Sequence, residues 1–341
     1  MKKNILRKSV AVLAVAAMTF SLAACGGGGS DESEARELVI AHTVGPTNAY
    51  VKGLEYCYEE YDSIGDGTLT FNEQGAGALG TERTITEGIL NGDIDIGVIS
   101  DHGLGSFYGN LYFGSVPGVF ENYDDVEENY RNGWGYEEIT STLEENGLVV
   151  LGIFNNGFRW LSNDKEEITS SDQLKNLKIR VPEVDFMVDL YEGMGALPVT
   201  ISNNELASAL QQGVADGQEL GPQSAYNNSV YEFQKYWTET NAGYSGAIVI
   251  MNADIFNSLS ERQQEDLIAA FGEGADRQFE YSVDYVYECW DNMEAAGCVL
   301  SEPSEELLDK YAEVGKELAF SDKYSAIFGE DLLNNMFPEG N

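Results

Sequence analysis

The sequence predicts an α/β fold in two lobes. Strand-like and helix-like periodicities alternate along the chain, as in layered α/β architectures. After an N-terminal leader, about 310 residues remain, more than the ~250–300 at which single cores stop growing. A helical pattern from Ser260 to about Ala296 would reach about 50 Å at 1.5 Å per residue. That is longer than one lobe, so it is expected to lie along both.

The elements follow in order. Residues 37–42 (ELVIAH) read as a strand, 48–61 as a helix, and 68–73 (TLTFNE) as a strand with polar alternation. Residues 81–92 form a helix stopped by Gly92, and 94–100 (IDIGVIS) a buried strand. Two acidic helices are expected near 123–131 and 135–146, then a strand at 148–154 (LVVLGIF). The second half gives RWLSN and LKIRV as strands, helices at 185–194 and 203–212, and a buried strand at 247–252. Ser260-Glu261-Arg262-Gln263 is a capping box that opens the long helix. A shorter helix follows from Ser304.

The first 25 residues stand apart from the fold. Lys2, Lys3, Arg7 and Lys8 precede an apolar run, Val10 to Leu22, too short to span a membrane. Leu22-Ala23-Ala24-Cys25 resembles a bacterial lipoprotein box, with Cys25 as the lipid-bearing residue after cleavage. Residues 26–36 read as a flexible Gly/Ser/acidic tether.

The formal charge is −39, with 58 acidic against 19 basic residues. Losing the leader makes it four charges more negative. Such a body repels phosphate backbones and anionic lipid heads, which excludes nucleic acid as a partner. An anion site would need its own local cations. Beyond the lipobox, Cys57, Cys289 and Cys298 are an odd number without a disulfide framework or zinc spacing, and read as buried thiols.

Three local patterns resemble chemistry. Gly75-Ala76-Gly77-Ala78-Leu79-Gly80 has the GxGxxG spacing, but the preceding strand ends in polar Asn72-Glu73-Gln74 and Glu82 would face a pyrophosphate. Residues 62–73 match four positions of a calcium loop, but Ile64 occupies a ligand position. His42 and His102 are the two histidines, and no nucleophile or zinc motif accompanies them. No metal or cofactor is expected, and no catalytic residue.

One group of stretches carries a family resemblance. Leu79-Gly80-Thr81-Glu82-Arg83, SVPGVFENYDD (115–125), NNGFRWLSN (155–163), LKNLKIRVPE (174–183), MGALPVTISNNELASALQQGVADGQE (194–219) and YEFQKYWTETNAGY (231–244) occur in that order. From about residue 37 to 320 the chain resembles the DctP-type solute-binding proteins of TRAP transporters. The resemblance implies a two-lobed periplasmic-binding-protein-like fold with a ligand cleft between the lobes, a hinge motion and a long helix bracing both. It implies residues 37–156 with 246–285 as lobe I, and 157–245 with 286–330 as lobe II. It further implies a small organic acid as ligand, TRAP permease subunits as membrane partners, a lipid anchor at Cys25, extracytoplasmic location, a monomer and no enzymatic activity. The alternatives are an enzyme on the same scaffold and a ligand-sensing ectodomain.

Arg180 then stands as the main carboxylate-binding arginine and Arg159 as the second. A guanidinium meets a carboxylate with two parallel charge-assisted hydrogen bonds. Without the motif, an arginine at a strand end reads as a solvated ion-pair residue. Two positions depart from the family pattern. Leu220-Gly221 replaces the usual Asn-Pro after DGQE, so a polar role shifts toward Gln223 or Asn227. Asn203 stands where relatives carry an aromatic. Glu82 and the turn Ser100-Asp101-His102 would face the ligand's far end. Acidic and hydroxyl groups there favour a sugar acid or other polyhydroxy monocarboxylate over a C4-dicarboxylate. The expected ligand-binding set is Arg180, Arg159, Glu82, Asn203, Glu219, Leu220, Ser100, Asp101, His42 and Tyr244.

Overall fold

The computed structural model describes residues 34–338. The leader and Cys25 lie outside the described residues. The strands are β1 Arg36–Ala41, β2 Leu69–Gln74, β3 Ile96–Ser100, β4 Leu148–Phe158, β5 Trp160–Asn163, β6 Lys178–Val181, β7 Leu197–Thr200, β8 Gly217–Leu220, β9 Tyr236–Thr238, β10 Tyr244–Asn252 and β11 Val299–Ser301.

They form two sheets. The first has the order β2-β1-β3-β10-β4, the second β11-β9-β5-β8-β6-β7. In the first, β1 runs parallel to β2 and β3, while β10 is antiparallel to β3 and β4. In the second, β6 is parallel to β7 and β8, and β5 is antiparallel to β8 and β9. Strand β2 is an edge of its sheet, which explains its polar alternation.

The chain passes between the sheets side by side. Strand β4 ends at Phe158 and β5 begins at Trp160, so Arg159 alone separates them. The return passage runs from Thr238 to Tyr244, and the Arg159 N–H donates to Gly243 O at 3.0 Å. Strand β4 outruns its sequence expectation because it continues to this crossing.

The long helix is Glu261–Ala295, opened by the Ser260–Gln263 capping box. It packs on helix Ala49–Ile64 and β4 beside the first sheet, and on helix Pro222–Asn227, which follows β8 of the second. Gly274 permits the closest approach, since a Cβ there would lie 2.5 Å from Cys57 Sγ. Apolar residues of helix Ala49–Ile64 (Leu54, Cys57) and of the long helix (Leu267, Phe271) close over one face of the first sheet.

Strands β7, β8, β9 and β11 are not expected from the sequence, and three further segments differ from its reading. Residues 123–131 wind as a turn at Tyr123–Asp125 and then a π-helix at Val126–Arg131, which brings Tyr130 OH to 3.2 Å from Asp101 Oδ2. The segment near 203 is a 3₁₀ turn, Asn203–Glu205, before a short helix, Leu206–Gln211. The tail holds two helices, Glu305–Ala319 and Asp322–Met336, broken at Phe320-Ser321, where Ser321 Oγ–H donates back to Leu318 O.

The remaining sequence patterns resolve into turns. Gly77 and Gly80 take positive φ in a loop bonded to His42 and Val44. Asp66 Oδ1 accepts Thr68 N–H at 3.0 Å, an Asx turn. Among the described residues no cluster of His, Cys, Asp or Glu is arranged for a metal, and no helix is long and apolar enough to cross a membrane. Cys57, Cys289 and Cys298 are buried free thiols.

Candidate functional site

A cavity of about 260 Å³ lies between the two sheets. The first sheet's side supplies Thr43 and Val44 after β1, Thr81, Glu82 and Arg83 at a helix start, Ser100 and His102 after β3, and Asn156 on β4. The second supplies Arg180, Pro182 and Glu183, Ser202 to Asn204, Leu220 and Ser224. Arg159, at the crossing, joins them. At the rim, a Cβ on Gly77 would sit 3.5 Å from Asn204 Nδ2, so the two sides come close there.

Arg180 is set by strand alternation. Ile179 and Val181 are fully buried in the core, so the residue between them faces the other way. Its Nε donates to Ile201 O at 2.8 Å. It is 2 % exposed, yet among the described residues it makes no ion pair. Burial, and then the neighbouring Arg159, push its guanidinium down to about 9. It is still a cation at neutral pH. A buried charge without a counter-ion is costly, and an anion in the cavity relieves that cost.

Arg159 is held on one edge. Its Nε meets Glu219 Oε1 at 2.7 Å, and its Nη2 donates to the Glu219 carbonyl at 2.6 Å. Both side chains are almost fully buried. Glu219 lies on β8 beside Leu220, and alternation sends Leu220 to the cavity and Glu219 behind the arginine. Glu219 therefore anchors Arg159 and does not line the cavity.

Glu82 lines the cavity from the first sheet's side. Its two oxygens accept Ser100 N–H at 2.9 Å and Ser100 Oγ–H at 2.7 Å. Burial raises its pKa above the usual carboxylate value, partly countered by those hydrogen bonds. Gly103 must be glycine, because a Cβ there would lie 2.6 Å from Glu82 Oε2. Asp101, fully buried, faces away from the cavity. It accepts Ser245 Oγ–H at 2.6 Å, Gly246 N–H at 3.0 Å and Tyr130 OH, and lies 3.0 Å from His102 Nδ1. His102 lines the cavity, with Nε2 at 2.8 Å from Ser115 Oγ. Ser115, His102 and Asp101 are connected like a nucleophile relay. However, Ser115 is 2 % exposed and lies outside the lining, so its hydroxyl holds the ring rather than meeting a ligand.

Of the sequence-selected residues, Arg180, Arg159, Glu82, Ser100, Asn203 and Leu220 line the cavity. Asp101, Glu219, His42 and Tyr244 lie behind it. His42 sits under the rim turn, with Nε2 3.1 Å from Glu73 Oε1 and its ring against Gly75. Tyr244 is buried among Phe120, Tyr130 and Phe158, and its hydroxyl has no hydrogen-bond partner among the described residues. Gln223 and Asn227 do not reach the cavity either. Gln223 donates to Asn156 O at 2.6 Å, and Asn227 Oδ1 accepts Thr47 Oγ–H at 2.6 Å. Sequence reasoning missed Asn156, Ser224 and Glu183 as lining residues. An amide before a glycine inside a strand pattern signals a bulge, and Asn156-Gly157 fits that signal.

The chain resembles the sugar acid binding protein DctPAm of Advenella mimigardefordensis, solved with galactonate. The TM-score is 0.83 and the identity 21%, covering 89% of this chain and 97% of that one. A TRAP periplasmic solute binding protein of Sulfitobacter sp. NAS-14.1, solved with β-D-galacturonate, gives a TM-score of 0.81 and 23% identity, covering 88% and 99%. These likenesses establish the fold. The C4-dicarboxylate-binding periplasmic protein DctP of Vibrio cholerae is 30% identical over 51% of this chain and 52% of its own length. The 2,3-diketo-L-gulonate-binding periplasmic protein YiaO of Escherichia coli is 24% identical over 64% of this chain and 66% of its own. Residues 40–321 match the DctP family itself, a family of transport binding proteins rather than enzymes. The chain belongs to family 7 of the bacterial extracellular solute-binding proteins, the DctP family.

Proposed function

We propose that this protein captures a small organic acid outside the cytoplasmic membrane and delivers it to the permease of a TRAP transporter. The observation that carries the reading is Arg180, a buried cation that makes no ion pair among the described residues and faces a cavity beside Arg159. The ligand's carboxylate meets both guanidinium groups. In this reading residues 37–156 with 246–285 and residues 157–245 with 286–330 are the two lobes that close on it. Cys25 carries a lipid, the body is a monomer on a short tether, and its negative charge holds it off anionic lipid heads.

The ligand class is read from the first sheet's side of the cavity. Glu82 makes no ion pair among the described residues, although His102 is near enough to lower its pKa, and a second carboxylate beside it would be repelled. Hydroxyl groups can donate to it. A sugar acid or other polyhydroxy monocarboxylate therefore fits better than a C4-dicarboxylate. Relatives solved with galactonate and galacturonate support this class.

A thermal-shift series with galactonate, galacturonate, erythronate and succinate tests the reading. A ligand at 100 times its Kd stabilises the folded state by about 2.7 kcal/mol. The sugar acids should raise the Tm more than succinate does. If no acid in the series raises it, the carboxylate reading fails.

A further inference from the structure

The strand that leads to Arg159 is irregular. On β10, Ser245 faces Gly157 and Gly246 faces Asn155, so Asn156 has no cross-strand partner. This is a β-bulge, one extra residue on β4, and Gly157 beyond it takes φ 104°. Bulges re-aim side chains at the edges of sites. Asn155 and Phe158 are buried, while Asn156 lines the cavity three residues before Arg159.

Its amide is oriented by its neighbours. Ser245 Oγ gives its proton to Asp101 Oδ1, so it accepts from Asn156 Nδ2 at 3.0 Å. Ser224 Oγ–H reaches Asn156 Oδ1 at 3.4 Å, and Gln223 Nε2 donates to the Asn156 carbonyl. The nitrogen thus faces Ser245. One amide N–H and one Oδ1 lone pair remain uncommitted.

We infer that Asn156 is a specificity-determining residue that reads a hydroxyl on the carbon next to the ligand's carboxylate. The inference rests on the reading that Arg180 and Arg159 hold that carboxylate. A hydroxyl offers one donor and one acceptor and matches the free donor and acceptor of the amide. A second carboxylate only accepts, and a methylene does neither. The 2-hydroxyl is the ligand group closest to the carboxylate, and Asn156 stands near the end of the strand that leads into Arg159. Leu220, paired with Trp160 on the adjoining strand, supplies no polar side-chain atom. Ser202 to Asn204 line the cavity next to Arg180, so polar readout on the Arg159 side falls to Asn156, with Ser224 beside it.

Calorimetry with three matched pairs tests this: galactonate against 2-deoxygalactonate, erythronate against 3,4-dihydroxybutanoate, and malate against succinate. In every pair that binds, the 2-hydroxy acid should bind at least tenfold tighter, because a polar site rejects an analogue lacking its partner group. In Asn156→Ala and in Asn156→Ser, each checked for an intact melting transition, the ratio should fall to within about twofold. Equal affinities within a pair that binds, or a ratio that survives in both variants, overturns the inference and leaves the carboxylate reading standing. Binding by none of the six acids overturns both.

Discussion

Replacing Arg180 with methionine should separate binding from folding. The side chain is 2 % exposed, bonds only Ile201 O through Nε, and makes no ion pair among the described residues. In the empty protein its charge is a net cost. Replacing buried ions by apolar groups of similar volume is neutral or stabilising by about 1–4 kcal/mol. The unliganded Arg180→Met variant should therefore be at least as stable as the parent in urea titration. Binding should behave oppositely. Removing one partner of a buried charge pair costs about 3–5 kcal/mol, a rise in Kd of roughly 10²–10³-fold or more. Calorimetry with the tightest acid of the thermal-shift series measures it. An unstable empty variant that binds as well as the parent would refute the reasoning, because Arg180 would then serve the fold and not the ligand.

Other perturbations act elsewhere. Glu219→Ala leaves Arg159 buried and unpaired and should destabilise the protein by about 3–5 kcal/mol in urea titration. Gly274→Ala places a Cβ against the Cys57 backbone and should cost about 1–3 kcal/mol, whereas Gly272→Ala meets nothing and should add about 0.5–1 kcal/mol through helix propensity. The pKa of Glu82 is raised in the folded state, so between the ordinary carboxylate value and that raised value the folded protein holds a proton that the unfolded chain has released, and the stability cost of Glu82 grows through this window and is complete above the folded pKa. Glu82→Gln should thus melt higher than the parent at pH 7.5, with the gap closing as pH falls toward the ordinary carboxylate value; a gap that does not change with pH would contradict this.

The sequence and the structure part company where side-chain direction depends on something other than periodicity. The alternation in LKIRV shows that Arg180 opposes Ile179 and Val181, and the ordered motifs assign it a cavity. Glu219 and Leu220 sit on adjacent positions of one strand, and period two alone does not say which faces the cavity. His42 and Tyr244 lie at strand ends close to the cleft, yet both are fully covered by the first sheet's own packing. Asn156 escaped because a bulge, not alternation, turns it. The π-helix at Val126–Arg131 escaped because its apolar spacing differs from that of an α-helix by one residue per turn.

Arg159 is at once a cavity-lining charge and the lone residue between two strands of different sheets. If the lobes rotate about this crossing, displacement grows with distance from it, as on a lever. The guanidinium then stays near the fulcrum while Gly77 and Asn204, at the rim, sweep the widest arc. Probes at Gly77 and Asn204 would report opening, while one near Gly243 would stay almost silent. An acid docked at the fulcrum would meet the same charge whether the jaws were apart or shut, so capture and closure become separate, successive events.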